Sequence, residues 1–266
     1  MFDSIAGDYD ALNHILSLDV DKLWRKKALK QIVDAPAPAR VLDLACGTGD
    51  FSIAIAKALS RSHKRVGTPI EAHVKAPAKA PVEAQVTSTG FVTGDSGRSD
   101  LMTKGHVTGV DLSEGMLAVM REKVAKAGLT EMISIEEGDG EILRFPDNTF
   151  DRVTIAFGIR NFENKEKGLR EMLRILKPGG RLVILELSRP ENKIIRWFYD
   201  LYFLHILPKI GGKVSGDKAA YAYLPASVAA FPGKKAFMAT MREAGFRTVT
   251  HKAFTLGICR MYTGEK

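Results

Sequence analysis

Residues Arg40 to Asp50, R-V-L-D-L-A-C-G-T-G-D, leave few folds open to this chain. An apolar run (Val41, Leu42, Leu44, Ala45) leads into Gly47-Thr48-Gly49, and helical spacing follows from Phe51 to Leu59. Strand, glycine turn and helix in that order form the first unit of a doubly wound α/β sheet, whose ligands bind beyond the carboxyl ends of the strands. Glycines at 47 and 49 let the backbone turn, and let a ligand approach, where a Cβ would intrude. The rest of the chain reads as building a pocket above this turn. A dinucleotide fingerprint would need Gly or Ala where Ser52 stands, so that match is incomplete. At this point a nicotinamide or flavin nucleotide, and a turn that binds nothing, both stay open.

At 266 residues the chain has the length of one large α/β domain with additions, or of a domain with a small lid. No apolar run reaches the roughly 18 residues that a membrane-spanning helix needs. The segment Met1-Phe2-Asp3-Ser4 does not open a secretory signal. The two cysteines, Cys46 and Cys259, suit a reducing, cytoplasmic setting without a disulfide framework. A net charge of +8 describes either a solvated lysine-rich surface or attraction to anionic lipid headgroups. No recognition-helix or RNA-binding motif accompanies it, which argues against nucleic acid as a partner. Contact with a membrane surface stays open.

Residues 1–35 read as a helical segment, with apolar side chains from Ile5 to Ile32 at three- and four-residue spacing, ended by Pro36 and Pro38. Within it, Tyr9 and Trp24 are most economically packing residues. Residues 62–104 lack helical or strand periodicity and are rich in Ala, Pro and Lys. Strand character resumes at His106 to Asp111. The acidic residue that binds ribose in such units lies about 20 residues past the glycines. Asp111 lies 62 past Gly49, and removing 62–103 leaves 20. The stretch is therefore expected to be a largely disordered insertion.

Ser113 is placed to cap a helix over 114–127 that Gly128 stops. Strands are expected at 133–135, 152–157 and 181–186, the last entered by a tight Lys177-Pro-Gly-Gly180 turn, with a helix over 165–176. A helix over 234–244 and strands at 248–254 and 258–262 close the chain. This alternation predicts a parallel sheet with helices on both faces. Residues 190–232 break the rhythm with a dense cluster from Trp197 to Leu207, expected either to pack on the sheet or to form a hydrophobic lid over the pocket.

Asp43, with Gly47 and Gly49, spells D-x-x-x-G-x-G, which resembles the first motif of class I S-adenosylmethionine (SAM) methyltransferases. Two longer strings narrow this. Y-D-A-L-N-H-I-L-S-L-D-V-D-K-L-W (Tyr9–Trp24) and R-I-L-K-P-G-G-R-L-V-I-L-E-L-S (Arg174–Ser188) resemble the two signatures of the quinone C-methyltransferases of menaquinone and ubiquinone biosynthesis. F-G-I-R-N (157–161), H-I-L-P-K-I-G (205–211), Asp217 and Tyr221-Ala-Tyr-Leu224 continue the likeness. It covers nearly everything except the insertion. Asp21 stands where the first signature usually has histidine, and Ala156 where a serine often precedes F-G. Relatives carry a further amino-terminal helix, which leaves open whether Met1 is the true start.

The resemblance implies one methyltransferase domain over 1–266, with a mostly parallel seven-stranded sheet whose last strand is antiparallel. It implies SAM as cofactor and no metal, with a polyprenylated quinol as substrate. That substrate is demethylmenaquinol or its benzoquinol counterpart. Asp43, Gly47, Thr48 and Gly49 would lie at the methionine end of SAM, and Asp111 at the ribose hydroxyls. Asp139 and Gly140 would hold the adenine, and Ala156 would lie nearby with one hydrogen bond fewer. Arg160 would stabilise a phenolate and Asn161 would orient a substrate oxygen or water. His205 and Asp217, with His14, are candidate bases, and Tyr9 a hydrogen-bonding positioner. Another class I methyltransferase of a sterol or phenol, and a non-catalytic SAM-binding module, are the competing expectations. The sequence leaves a homodimer open.

Overall fold

A computed structural model describes residues 20–36, 38–66, 105–202 and 218–266. Seven strands form one sheet: β1 (Arg40–Leu44), β2 (His106–Asp111), β3 (Ile133–Glu137), β4 (Phe150–Ala156), β5 (Leu176–Leu187), β6 (Arg247–Phe254) and β7 (Cys259–Glu265), in the order β3-β2-β1-β4-β5-β7-β6. β1 to β5 pair in parallel, and β7 runs antiparallel between β5 and β6. This is the expected doubly wound sheet with its antiparallel last strand.

Alternation along each strand builds two cores. Val41, Val107, Val183 and Leu185 face α1 (Val20–Ile32), α2 (Asp50–Val66) and α3 (Glu114–Lys126). Leu42, Leu44, Leu182 and Ile184 face α4 (Lys165–Ile175) and, later in the chain, a helix at Lys234–Glu243. Near-continuous apolar strands are what a sheet covered on both faces requires. Two further helices lie between β5 and that last one: α5 (Lys193–Asp200) and α6 (Lys218–Ala230), which makes Lys234–Glu243 α7. No helix among the described residues is long and apolar enough to cross a membrane.

The expected boundaries of α3 hold: the Ser113 side chain accepts the Met116 N–H and starts the helix, and Gly128 beyond its end has a left-handed φ of 65°. Asn164, for which no cap was expected, caps α4 through the Lys167 N–H. Elsewhere the structure corrects the sequence. α2 continues to Val66, five residues into the stretch assigned to the insertion; residues 67–104 lie outside the described residues. Lys177-Pro-Gly-Gly180 is not a separate turn. It is part of β5, where the pairing with β4 jumps between Phe150 and Arg152 and Gly179 takes φ 74°. Phe157 ends β4 instead of extending it, because its φ is 63°.

Candidate active site

The strand order reverses between β1 and β4, and a crevice opens there beyond their carboxyl ends. It holds a cavity of about 490 Å³, in the size range of small-molecule sites. The floor comes from Asp43, Ala45, Cys46, Gly47 and Thr48 after β1, and from Ala156, Phe157 and Arg160 after β4. Asp21, Trp24 and Arg25 of α1 form one wall. Ile195, Phe198, Tyr199 and Tyr202, on α5 and just past it, form another, with Leu224 of α6. Trp24 is fixed by its indole N–H, which donates to Thr255 Oγ1 at 2.9 Å.

The glycine turn is held from the side by Asp111. One of its carboxylate oxygens accepts the Gly47 N–H at 2.8 Å and the other the Ser113 N–H at 2.9 Å. Gly49 has φ 83°, and a Cβ there would lie 2.4 Å from Met120 Cγ on α3. Ala45 and Phe157 also take left-handed angles, at φ 52° and 63°, and both line the cavity. Such strain persists where surrounding structure enforces it, commonly at ligand sites. Gly158 makes the pair possible, since a Cβ on it would meet Ala45 Cβ at 2.5 Å.

Asp43 is buried at the end of β1 and accepts a 2.6 Å hydrogen bond from Ser52 Oγ. Burial pushes its pKa up to about 7, against the pull of the Ser52 hydroxyl and the charge of Arg25. Burial also raises the Cys46 thiol, helped by Asp43 and Asp111, so this cysteine is a poor nucleophile.

Arg160 sits on a short 3-10 turn, Ile159–Asn161, that follows β4. Its side chain is only 7% exposed and pairs with the fully buried Glu186 of β5, Nη1 to Oε1 at 2.9 Å. Glu186 Oε2 accepts the Arg160 backbone N–H at 3.1 Å, and Oε1 also takes the Leu187 N–H. Arg160 donates further to the Phe157 carbonyl and, through Nε at 3.3 Å, to Ser227 Oγ of α6. A buried ion pair is tolerable when further hydrogen bonds support both partners, as these do for the Arg160 guanidinium and the Glu186 carboxylate. Asn161 stands outside the cavity wall and accepts a 2.9 Å hydrogen bond from Tyr223 of α6.

Five of the expected residues thus share one cavity: Asp43, Gly47, Thr48, Ala156 and Arg160. Asp111 and Gly49 brace its glycine turn. Asp139 and Gly140 follow β3, outside the cavity wall. Asp139 Oδ1 accepts the Glu141 N–H at 2.8 Å, and Gly140 packs on Phe162. Tyr9, His14, His205 and Asp217 lie outside the described residues. Among those described, no group of three or more His, Cys, Asp or Glu is arranged to hold a metal.

A model of the ubiE/COQ5 methyltransferase family matches residues 1–266. The chain belongs to that family. The ubiquinone/menaquinone biosynthesis C-methyltransferase UbiE of Geobacter sulfurreducens is 43% identical over 266 residues, covering 100% of this chain and 87% of that protein. The demethylmenaquinone methyltransferase of Deinococcus radiodurans is 41% identical over 266 residues, covering 100% and 91%. Among solved structures, a putative S-adenosylmethionine-dependent methyltransferase from Methanococcus maripaludis superposes with a TM-score of 0.59 at 16% identity, over 100% of this chain and 94% of that one. A SAM-dependent methyltransferase from Aquifex aeolicus gives 0.53 at 19%, over 90% and 88%. These structural likenesses concern the fold.

Within this ubiE/COQ5 family member, four contributors escaped the sequence reading. Glu186 closes an apolar strand run, and a lone carboxylate there is a usable sign of a buried partner. Ser227 and Tyr223 gave no local sign, because their partners are 67 and 62 residues away. Arg25 follows Asp21 by one helical turn beside the buried Trp24, a spacing that places both carboxylate and guanidinium on one face.

Proposed function

We propose that this methyltransferase moves the methyl group of SAM to a ring carbon of a polyprenylated quinol. Demethylmenaquinol is the first acceptor, and 2-methoxy-6-polyprenyl-1,4-benzoquinol the second. One observation carries the proposal: a single cavity joins the polar glycine turn to an aromatic wall, with a buried arginine at the junction. The residues fit a cationic donor, since the acidic side chains Asp21, Asp43 and Asp50 all line the cavity. The names carried by the relatives support the acceptor class.

SAM, when bound, supplies an electrophilic sulfonium methyl. In this proposal Gly47, Thr48, Gly49 and Asp43 would hold its methionine end, Asp111 would accept from the ribose, and Asp139 and Gly140 would hold the adenine. Ala156 would contribute an apolar edge. A free phenol ionises near pH 10, so a neutral-pH enzyme must stabilise the phenolate that makes the ring carbon nucleophilic. Arg160 does this, fixed in place by Glu186; a guanidinium has donors only and no lone pair to act as the base. Asn161, held by Tyr223, orients a substrate oxygen or water. Removal of the ring proton falls to His205, Asp217 or His14, with Tyr9 as a positioner.

The prenyl tail leaves along α5. Phe198 lines the cavity yet is 60% exposed, and Ile194 and Trp197 continue outward at 70% and 61%. Lys193 and Arg196 on the same helix suit anionic headgroups at the inner face of a membrane. The test is methyl transfer from labelled SAM to demethylmenaquinol and the demethylated benzoquinol side by side. Transfer to either supports the proposal. Transfer only to sterols or simple phenols, or SAM binding without transfer to any quinol, overturns it.

A further inference from the structure

We infer that Arg25 is the anchor for the α-carboxylate of the methyl donor's methionine moiety, a task separate from that of Arg160. The inference rests on SAM as the donor. Among the described residues two cations line the cavity, Arg25 and Arg160. The proposed reaction presents two anions to that cavity: the permanent carboxylate of the donor and the phenolate of the acceptor.

The two arginines are differently placed and differently engaged. Arg160 is taken up by Glu186, the Phe157 carbonyl and Ser227. Arg25 makes an ion pair with Asp21, Nε to Oδ2 at 3.5 Å, and its Cζ lies 5.6 Å from the Phe157 ring centre. Its Nε is buried and donates no hydrogen bond. A buried guanidinium donor without an acceptor is unfavourable, and a ligand carboxylate can supply two acceptors to its planar fork.

Location separates them too. Arg25 stands on the α1 wall with Asp21 and Trp24, beside the glycine-turn residues Gly47 and Thr48 that line the same cavity. Arg160 follows β4 and is tied through Ser227 to α6, on the side of the aromatic wall. Arg25 therefore belongs to the donor's amino-acid end and Arg160 to the acceptor's ring. The Asp21 carboxylate, one helical turn before Arg25 on the same wall, suits the donor's α-ammonium.

The experiment is calorimetric titration of the full chain with SAM and with decarboxylated SAM, which keeps the sulfonium and the amine. The wild type should prefer SAM by about 10- to 100-fold, the range of a charge-assisted hydrogen-bond pair. Arg25→Met should bind both nucleosides alike, with its affinity for the decarboxylated one unchanged within about twofold. Arg25→Lys should recover part of the preference, and Arg160→Met should keep all of it.

Arg25→Met retaining the wild-type preference would overturn the assignment. So would its losing both ligands equally, which marks a general effect on the cavity, or Arg160→Met being the variant that loses the preference. A wild type that binds neither nucleoside would remove the donor assignment itself and Arg25's role with it.

Discussion

Asp43→Asn isolates the least comfortable group in the site. An unfolded aspartate ionises near pH 3.8, whereas burial holds Asp43 protonated up to about pH 7. Between those limits the native state keeps one proton that the unfolded chain has released. Raising the pH therefore destabilises the native state, by about 1.4 kcal/mol per pH unit from this one group. The contribution is fully present below the unfolded pKa and is lost as the pH rises through the folded one, about 4 kcal/mol across the window. Asparagine keeps the shape and can still accept the Ser52 hydroxyl, but it has no proton to release. All other titrations are common to both proteins and cancel in the difference. Urea unfolding at pH 5 and pH 6.5 should thus show the wild type losing about 2 kcal/mol relative to Asp43→Asn. Parallel stability curves for the two proteins would refute the assignment of this carboxyl as protonated in the native state.

Arg160→Ala should lower turnover on the quinol by about 10²- to 10³-fold while SAM affinity, read by calorimetry, changes little. The same change strands the buried Glu186, so urea unfolding should record a loss of about 3–5 kcal/mol. Gly49→Ala forces a β-carbon into Met120 at a left-handed angle and should cost about 2–4 kcal/mol; a thermal midpoint equal to wild type would sink that account. Trp197→Ser with Phe198→Ser should raise KM for a prenylated quinol and leave KM for a tail-less ring unchanged. Equal effects on the two would deny α5 its role as the path of the tail.

Much of this was legible because the decisive signals are local. The glycine turn, the Ser113 cap and the unbroken apolar runs such as Leu182–Leu185 depend on neighbours a few residues away. They mark the parallel sheet and its helical cover, while the roles of the five cavity residues came from the family resemblance. What escaped depends on pairings across the fold. Arg160 was visible in F-G-I-R-N, but that it leans on Glu186 follows from β4 and β5 lying side by side. That Asn161 and Arg160 both bond to α6 follows from a helix more than 60 residues later folding back over the 3-10 turn after β4. The Lys177–Gly180 stretch misled because Pro-Gly-Gly signals a turn, whereas here one left-handed glycine lets the strand absorb the irregularity. α2 was cut short since the composition changes before the helix does.

That longer α2 carries a practical consequence. Its 17 residues reach about 25 Å from the glycine turn, at 1.5 Å per residue. The described chain thus leaves α2 at Val66, far from the glycine turn, and resumes at Gly105, just ahead of β2. Both ends of a splice between Val66 and Gly105 would therefore lie away from the residues that line the cavity.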